Sequence, residues 1–293
     1  MKVRIIVNPI SGGGKGPLLG TSLHSALRAH NIDAEIITTG KAGDAHREAR
    51  EPGCDCVVSV GGDGTTNEIA NAIAGTDTLL AILPLGTANV VARELRIPRN
   101  PEFVADCIAR RMARPIDAGC CGERLFLLGC GAGLDAEVVA RIHASRGRKL
   151  SYAAYVVPTV KTLFTYDYPK IRVTVDGQEV CDDGEYVIVA NCRNSAGVFT
   201  ATPKAKIDDG LLDVCIVKDL SVLKVGWLIV LSMLPGFADR RAVTYRQGRH
   251  VELLPAGPVP VPLQIDGDPA GTIPATFVVQ PHALRVVAPH AEL

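Results

Sequence analysis

Aromatic residues are scarce, at 4% of 293, so stacking platforms for single-stranded nucleic acid are not in supply. Neither sign of charge is in excess, since 31 Lys and Arg balance 31 Asp and Glu. No nucleic-acid partner is indicated on electrostatic grounds. The nine cysteines contain no CxxC pair and stand singly or as Cys54/Cys56 and Cys120/Cys121. That pattern reads as reduced thiols of a cytoplasmic protein rather than a disulfide framework. No apolar run approaches the roughly 20 residues that span a bilayer. The longest charge-free run, "VGWLIVLSMLPGFA" (Val225–Ala238), is broken by Pro235. The opening "MKVRIIVNPISGGGKG" has too short an apolar run for a signal peptide. The seven histidines lack metal-ligand spacing and there is no GxSxG elbow, which argues against a zinc enzyme or a serine hydrolase. What is left is a soluble globular enzyme, at most peripheral to a membrane, and long enough for two domains.

What is present is alternation. "KVRIIVNP", "DAEIITT", "DCVVSV" and "LLAILP" read as strands. A helical pattern follows each: about residues 17–30, Gly43 to Arg50, Thr66 to Gly75, and Ala88 to Leu95. Two of the strands, "CVVSV" and "LLAIL", are apolar throughout, as strands covered on both faces are. Residues 1–125 are therefore expected to form an α/β domain with a doubly wound parallel sheet, completed by residues 280–293. Beyond Leu125 the chain breaks into short β-rich runs punctuated by Gly, Pro and Asp. These predict an antiparallel β-sandwich or barrel over 126–279. Helical stretches at about 149–165 and 221–234 interrupt it.

Three glycine-rich loops follow strands on one edge of the inferred sheet: "NPISGGGKG" (Asn8–Gly16), "GGDGT" (Gly61–Thr65) and "PLGTAN" (Pro84–Asn89). Glycines let backbone N–H groups converge on an anion, and the following helix N-terminus adds partial positive charge. Such an edge suits a phosphate-bearing ligand. The loops do not match a Walker A motif, because Pro9 occupies the first glycine position and Gly16 follows Lys15. Pro17 likewise breaks a GxGxxG dinucleotide fingerprint. "GCGAGLDAEVV" has GxGxxA spacing but no regular βαβ context. Asp63 is the anomaly, since a carboxylate 4 Å from a phosphate is opposed by about 4 kcal/mol at an effective dielectric near 20. A bridging divalent cation, or sugar hydroxyls and water, would reconcile it with phosphoryl transfer. The alternative is that Asp63 only caps a helix starting near Thr65.

Taken together, "VNPISGGGKG", "GGDGTTNEIANAI", "LPLGTANVVAREL" and "IDGDP" resemble the bacterial diacylglycerol-kinase-like lipid kinases, relatives of ceramide and sphingosine kinases. The resemblance is collinear over nearly the whole chain. It implies an ATP site in the interdomain cleft. Thr39, the loop Gly61, Gly62, Asp63, Gly64, Thr65, Thr66 and Asn67, and Thr87 with its neighbour Asn89 would serve ATP. Asn8, Ser11, Gly12, Gly13 and Gly14 would form the phosphate side. "AKIDDGLL" resembles a loop that binds a structural Mg²⁺ through Asp209 and the carbonyls of Lys206 and Leu211. The acid ending "IDGD", Asp268, would be the general base that takes the proton of the lipid hydroxyl. Asp266, two residues away, would point to the same face if the segment were a strand; the alternative is that "IDGDP" is just a turn. Two departures stand out: Asp268 replaces the usual glutamate, and Val90 replaces an acid common after the asparagine. With that acid missing, Asp63 and Asp117 would be left to serve a metal–water network.

An acyl chain needs an apolar slot, and "YAAYVVPTVKTLF" (Tyr152–Phe164) and "VGWLIVLSMLPGF" are the candidates. Arg141, Arg146, Arg148 and Lys149 precede the first and could meet anionic headgroups. The reading is an ATP- and Mg²⁺-dependent lipid kinase whose acceptor is diacylglycerol-like or sphingoid, with a homodimer left open. The alternatives are an NAD-kinase-type enzyme or a catalytically silent lipid-binding protein of the same fold.

Overall fold

The computed structural model describes residues 1–144, 161–193, 201–221 and 243–289. The expected apolar stretch at 225–237, most of that at 152–164, and Arg146, Arg148 and Lys149 fall outside these residues. The chain divides into two units, Met1–Ala118 with Gln280–Leu293, and Gly119–Val279.

In chain order the first unit contains β1 (Lys2–Val7), α1 (Ser11–Gly14), α2 (Gly16–Ala29), β2 (Asp33–Thr38), α3 (Asp44–Arg50), β3 (Cys56–Gly61), α4 (Asp63–Ile73), β4 (Leu79–Pro84), α5 (Val90–Glu94) and α6 (Pro101–Ala109). The long strand β5 (Ala113–Cys121) leads into the second unit. The sheet order is β2-β1-β3-β4 and every pairing is parallel. β3 and β4 are buried at every residue, which explains their uninterrupted apolar sequence. α2 packs with α6 and α3 with α4. Small residues set how closely α2 approaches the sheet. A methyl group on Gly20 would stand 2.7 Å from Val7 Cγ2, and one on Gly16 would stand 2.3 Å from the Asn8 carbonyl oxygen. α6, which the sequence reading did not anticipate, has ordinary start signals: Asn100 Oδ1 accepts the Phe103 amide at 3.0 Å, and Pro101 follows.

The second unit holds β6 (Arg124–Phe126), β7 (Gly129–Gly133), α7 (Leu134–Ala144), β8 (Ile171–Val175), β9 (Gln178–Gly184), β10 (Tyr186–Ala190), β11 (Leu212–Val217), β12 (Val243–Gly248), β13 (His250–Pro255), β14 (Pro262–Ile265) and β15 (Asp268–Thr272). β16 (Ala275–Val287) closes the series. One antiparallel sheet runs β12-β11-β10-β7-β14-β15. The first residues of β16, with β13, β8 and β9, make a second. Val187, Val189, Val214 and Leu263 of one sheet share a core with Val173, Val251, Leu253 and Phe277 of the other. Each such side chain, fully buried, contributes about 1.5–3 kcal/mol. The result is an antiparallel β-sandwich.

β16 is one strand where "ATFVVQP" and "ALRVVAP" read as two. It carries Pro281 and a left-handed His282 (φ 53°) without ending, and its Arg285 and Val286 pair in parallel with β4. Helix α4 starts at Asp63, three residues before the expected Thr66. Among the described residues no helix is long and apolar enough to cross a membrane. All nine cysteines are free thiols.

Candidate active site

In the first unit β1 lies between β2 and β3, so successive crossovers leave in opposite directions from β1 and β3. Ligands of open α/β sheets bind outside the strand C-termini at such a switch point. Asn8 follows β1, Thr39 follows β2, Gly61 ends β3 and Pro84 ends β4. One edge therefore gathers Asn8, Ser11, Gly12–Gly14, Thr39, Gly61–Asn67, Thr87 and Asn89.

Many of these side chains are engaged in building the loops. The Asn8 carboxamide donates to Thr65 Oγ1 at 3.2 Å and accepts the Ile10 amide at 3.2 Å. Thr39 donates its amide (2.9 Å) and hydroxyl (3.3 Å) to the Val7 carbonyl. The Thr66 hydroxyl lies 2.9 Å from that of Ser59 and donates to the Gly62 carbonyl at 3.2 Å. Asn71 donates to both the carbonyl and the side-chain oxygen of Asn67 at 3.0 Å. Asn89, left-handed at φ 46°, closes its own loop by accepting the Gly86 amide at 2.7 Å and donating to the Gly86 carbonyl at 2.6 Å.

Space remains beside part of the glycine backbone. Gly12, Gly13 and Gly14 are consecutive left-handed residues (φ 63°, 71° and 87°), a course closed to most side chains. Methyl groups on Gly13, Gly14 or Gly64 would meet nothing within 4 Å, and Thr87 is exposed. Gly62 and Gly86 instead touch one another, since a methyl group on Gly86 would stand 2.7 Å from Gly62 Cα. The second and third loops therefore meet backbone to backbone. Arg99, unremarked in the sequence, braces the third loop by donating to the Pro84 carbonyl at 2.9 Å and the Gly86 carbonyl at 3.4 Å.

Asp63 occupies the first turn of α4 but caps another helix. Its Oδ1 accepts the Val90 amide, the first residue of α5, at 2.7 Å. Burial raises its carboxyl above the usual range, opposed by the Val90 and Asn89 amides. The acid thus ties the second loop to the third, a duty the sequence did not reveal because the partner lies 27 residues on. Asp117 is fully buried and accepts the His282 amide at 2.8 Å.

In the second unit, "IDGD" is a two-residue hairpin turn. Asp266 (φ 49°) and Gly267 (φ 84°) are both left-handed, and Ile265 pairs with Asp268. The expectation that Asp266 and Asp268 share a strand face is therefore corrected. Asp266 Oδ2 accepts the Leu127 amide at 2.9 Å, and Oδ1 accepts those of Leu128 and Gly129 at 3.0 Å. Asp268 is half-exposed and pairs with Arg124 Nη2 at 3.3 Å. The Gly131 of "GCGAG" makes room for a carboxylate of its own chain, as a methyl group there would lie 2.0 Å from Asp135 Oδ2. Asp135 accepts Gln264 Nε2 at 3.0 Å, and burial pushes its carboxyl up to about 6.

Lys206, Asp209 and Leu211 lie on the loop entering β11. Gly210 is left-handed (φ 72°), and Asp209 Oδ1 accepts the Leu211 amide at 3.1 Å. One carboxylate among main-chain oxygens suits a hard cation. Among the described residues no group of three or more His, Cys, Asp or Glu side chains is arranged to hold a metal.

A parallel switch-point sheet with glycine-built loops, joined in one chain to an antiparallel sandwich, defines a two-domain enzyme of the phosphate-handling kind. The diacylglycerol kinase catalytic domain matches residues 2–121, and the YegS C-terminal NAD kinase beta sandwich-like domain matches residues 129–288. The chain belongs to the diacylglycerol-kinase-like lipid kinase family, and it is a kinase of that family. It is 32% identical to "Probable lipid kinase YegS-like" of Pseudomonas aeruginosa, over 90% of this chain and 88% of the relative. With the diacylglycerol kinase of Bacillus subtilis it shares 26% over 98% and 96% of the two chains. A crystal structure of a diacylglycerol kinase from Bacillus anthracis has the same fold, with a TM-score of 0.77 at 23% identity over 100% and 98% of the two chains.

Proposed function

We propose that the protein transfers the γ-phosphoryl group of ATP to the hydroxyl of a lipid, either diacylglycerol-like or sphingoid. The observation that carries this reading is the switch-point edge itself, where glycine-rich loops follow β1, β3 and β4 and space stands open beside Gly13, Gly14 and Gly64. Phosphoryl transfer demands mainly positioning and charge stabilisation, and such a loop set can supply both. Asn8, Thr39, Thr65, Thr66 and Asn89 hold the loops in shape, and Asp63 joins two of them. Asp268 takes the acceptor's proton as its oxygen attacks phosphorus. Lys206, Asp209 and Leu211 would hold a structural Mg²⁺, and a cation serving the phosphates would neutralise charge that develops during transfer.

The test is transfer of label from γ-labelled ATP with Mg²⁺ to a lipid panel in mixed micelles, with NAD⁺ in parallel. Label on a diacylglycerol or sphingoid base is expected. Label on NAD⁺ would overturn the lipid reading, and no transfer to any acceptor with lipid still bound would favour a silent binding protein.

A further inference from the structure

Arg124 belongs to none of the motifs read from the sequence, yet its guanidinium reaches a residue 144 positions away. One nitrogen, Nη2, donates to the Ile265 carbonyl at 3.1 Å and to Asp268 Oδ2 at 3.3 Å. These acceptors are the two residues that flank the Asp266–Gly267 turn. Arg124 itself stands in β6, where it pairs with Cys121, three residues before the Leu127–Gly129 amides that grip Asp266. The turn is thus fastened at its tip through Asp266, held by the amides of Leu127 to Gly129, and at its base by Arg124 of β6. Asp268 has no comparable set of amides and is 55% exposed, so without Arg124 its carboxylate would sample several rotamers.

We infer that Arg124 is a positioning residue that holds the Asp268 carboxylate in one orientation for proton abstraction; this rests on the reading of Asp268 as base. In that step the acceptor oxygen forms a bond to the γ-phosphorus and its proton passes to Asp268. The bond from phosphorus to the bridging oxygen breaks, and ADP leaves with the electron pair. Arg124 gives and takes nothing. The charged groups at the turn are Arg124, Asp266 and Asp268, and Arg124 also acts on Asp266 through its field. An ion pair this exposed contributes little to stability, and since Arg124 also holds the Ile265 carbonyl, turnover and the Asp268 rotamer must be read beside melting to tell positioning from a merely structural role.

The test uses the full chain with dioctanoylglycerol and a sphingoid base in mixed micelles. Variants are Arg124→Gln, Arg124→Lys, Asp268→Asn and the Gln/Asn double variant. Arg124→Gln is expected to lower kcat about 10- to 100-fold with the KM for ATP unchanged and melting unaltered. Arg124→Lys should recover part of the loss. On the Asp268→Asn background Arg124→Gln should have no further effect. A full loss reproduced on that background, or a change confined to KM, would overturn the inference. Near-normal turnover of Asp268→Asn would instead remove the base reading on which it rests. Independently of any acceptor, three-bond couplings should show one Asp268 χ1 rotamer in the native protein and averaging in Arg124→Gln; averaging already present in the native protein would also refute it.

Discussion

Asp63 and Asp266 invite comparison, one set between glycines in the first unit and the other followed by a glycine in the second. Each carboxylate grips backbone amides of a distant segment. Asp63 accepts the Val90 amide at 2.7 Å and joins two loops of whose glycines only Gly64 has open space beside it. Asp266 takes three, from Leu127, Leu128 and Gly129. Three convergent amides could have been an anion cradle, but here the protein fills them with its own acid. An acid beside glycine therefore does not mark a ligand site; unoccupied backbone does. By that measure the open space lies beside Gly13, Gly14 and Gly64 in the first unit, while in the second Asp268 lacks the amides its neighbour has.

The comparison can be broken in several ways. The largest effect is expected from Asp268→Asn, with transfer falling roughly 10²- to 10⁴-fold as for loss of a general base, while calorimetry finds ATP binding largely intact. Near-normal turnover would leave Asp268 no different from Asp266. Next comes Asp266→Ala, which strands three amides at a cost of roughly 3 kcal/mol or more in urea unfolding. Asp63→Ala, which frees one helix-capping amide, should cost only about 1 kcal/mol; equal losses would erase the contrast. Gly86→Ala forces a methyl group against Gly62 Cα. It should cost about 1–3 kcal/mol and weaken ATP binding, whereas Gly13→Ala should be opposed only by its left-handed backbone.

A different kind of effect concerns pH. The Asp135 carboxyl is raised to about 6 from 3.8, so the folded protein holds that proton more tightly than the unfolded chain. Its stabilising contribution is complete below about pH 4 and disappears as pH rises through 6. Burial raises Asp266 to about 6 as well, so Asp135→Asn should lessen the fall of the melting temperature over this window without abolishing it, and an unchanged pH profile would count against the shift.

The first unit was legible chiefly through β3 and β4, which are buried on both faces, leave unbroken apolar runs and end in Gly61 and Pro84. The sandwich was legible in outline. "GCGAG" hid β7, because a strand of glycine, cysteine and alanine lacks the β-branched residues that announce one. Pro281 hid the continuity of β16. At the candidate site the residue types were visible, but their division of labour was not. Val90 lies 27 residues from Asp63, the Asp266 partners 137 to 139 away, and Arg124 144 from Asp268. "IDGD" did carry its hairpin signal in Asp-Gly, in keeping with the reading of this segment as a turn.

Because Arg285 and Val286 of β16 pair with β4, the parallel layer lacks a member until the ribosome has passed the entire sandwich. A fragment ending near residue 121 would present β4 as a bare, fully apolar rim, the kind of edge that recruits neighbouring chains. The first unit therefore cannot be expected to mature early or to be cut out as a module. A circular permutant that places residues 280–289 ahead of Met1 would be the way to isolate it.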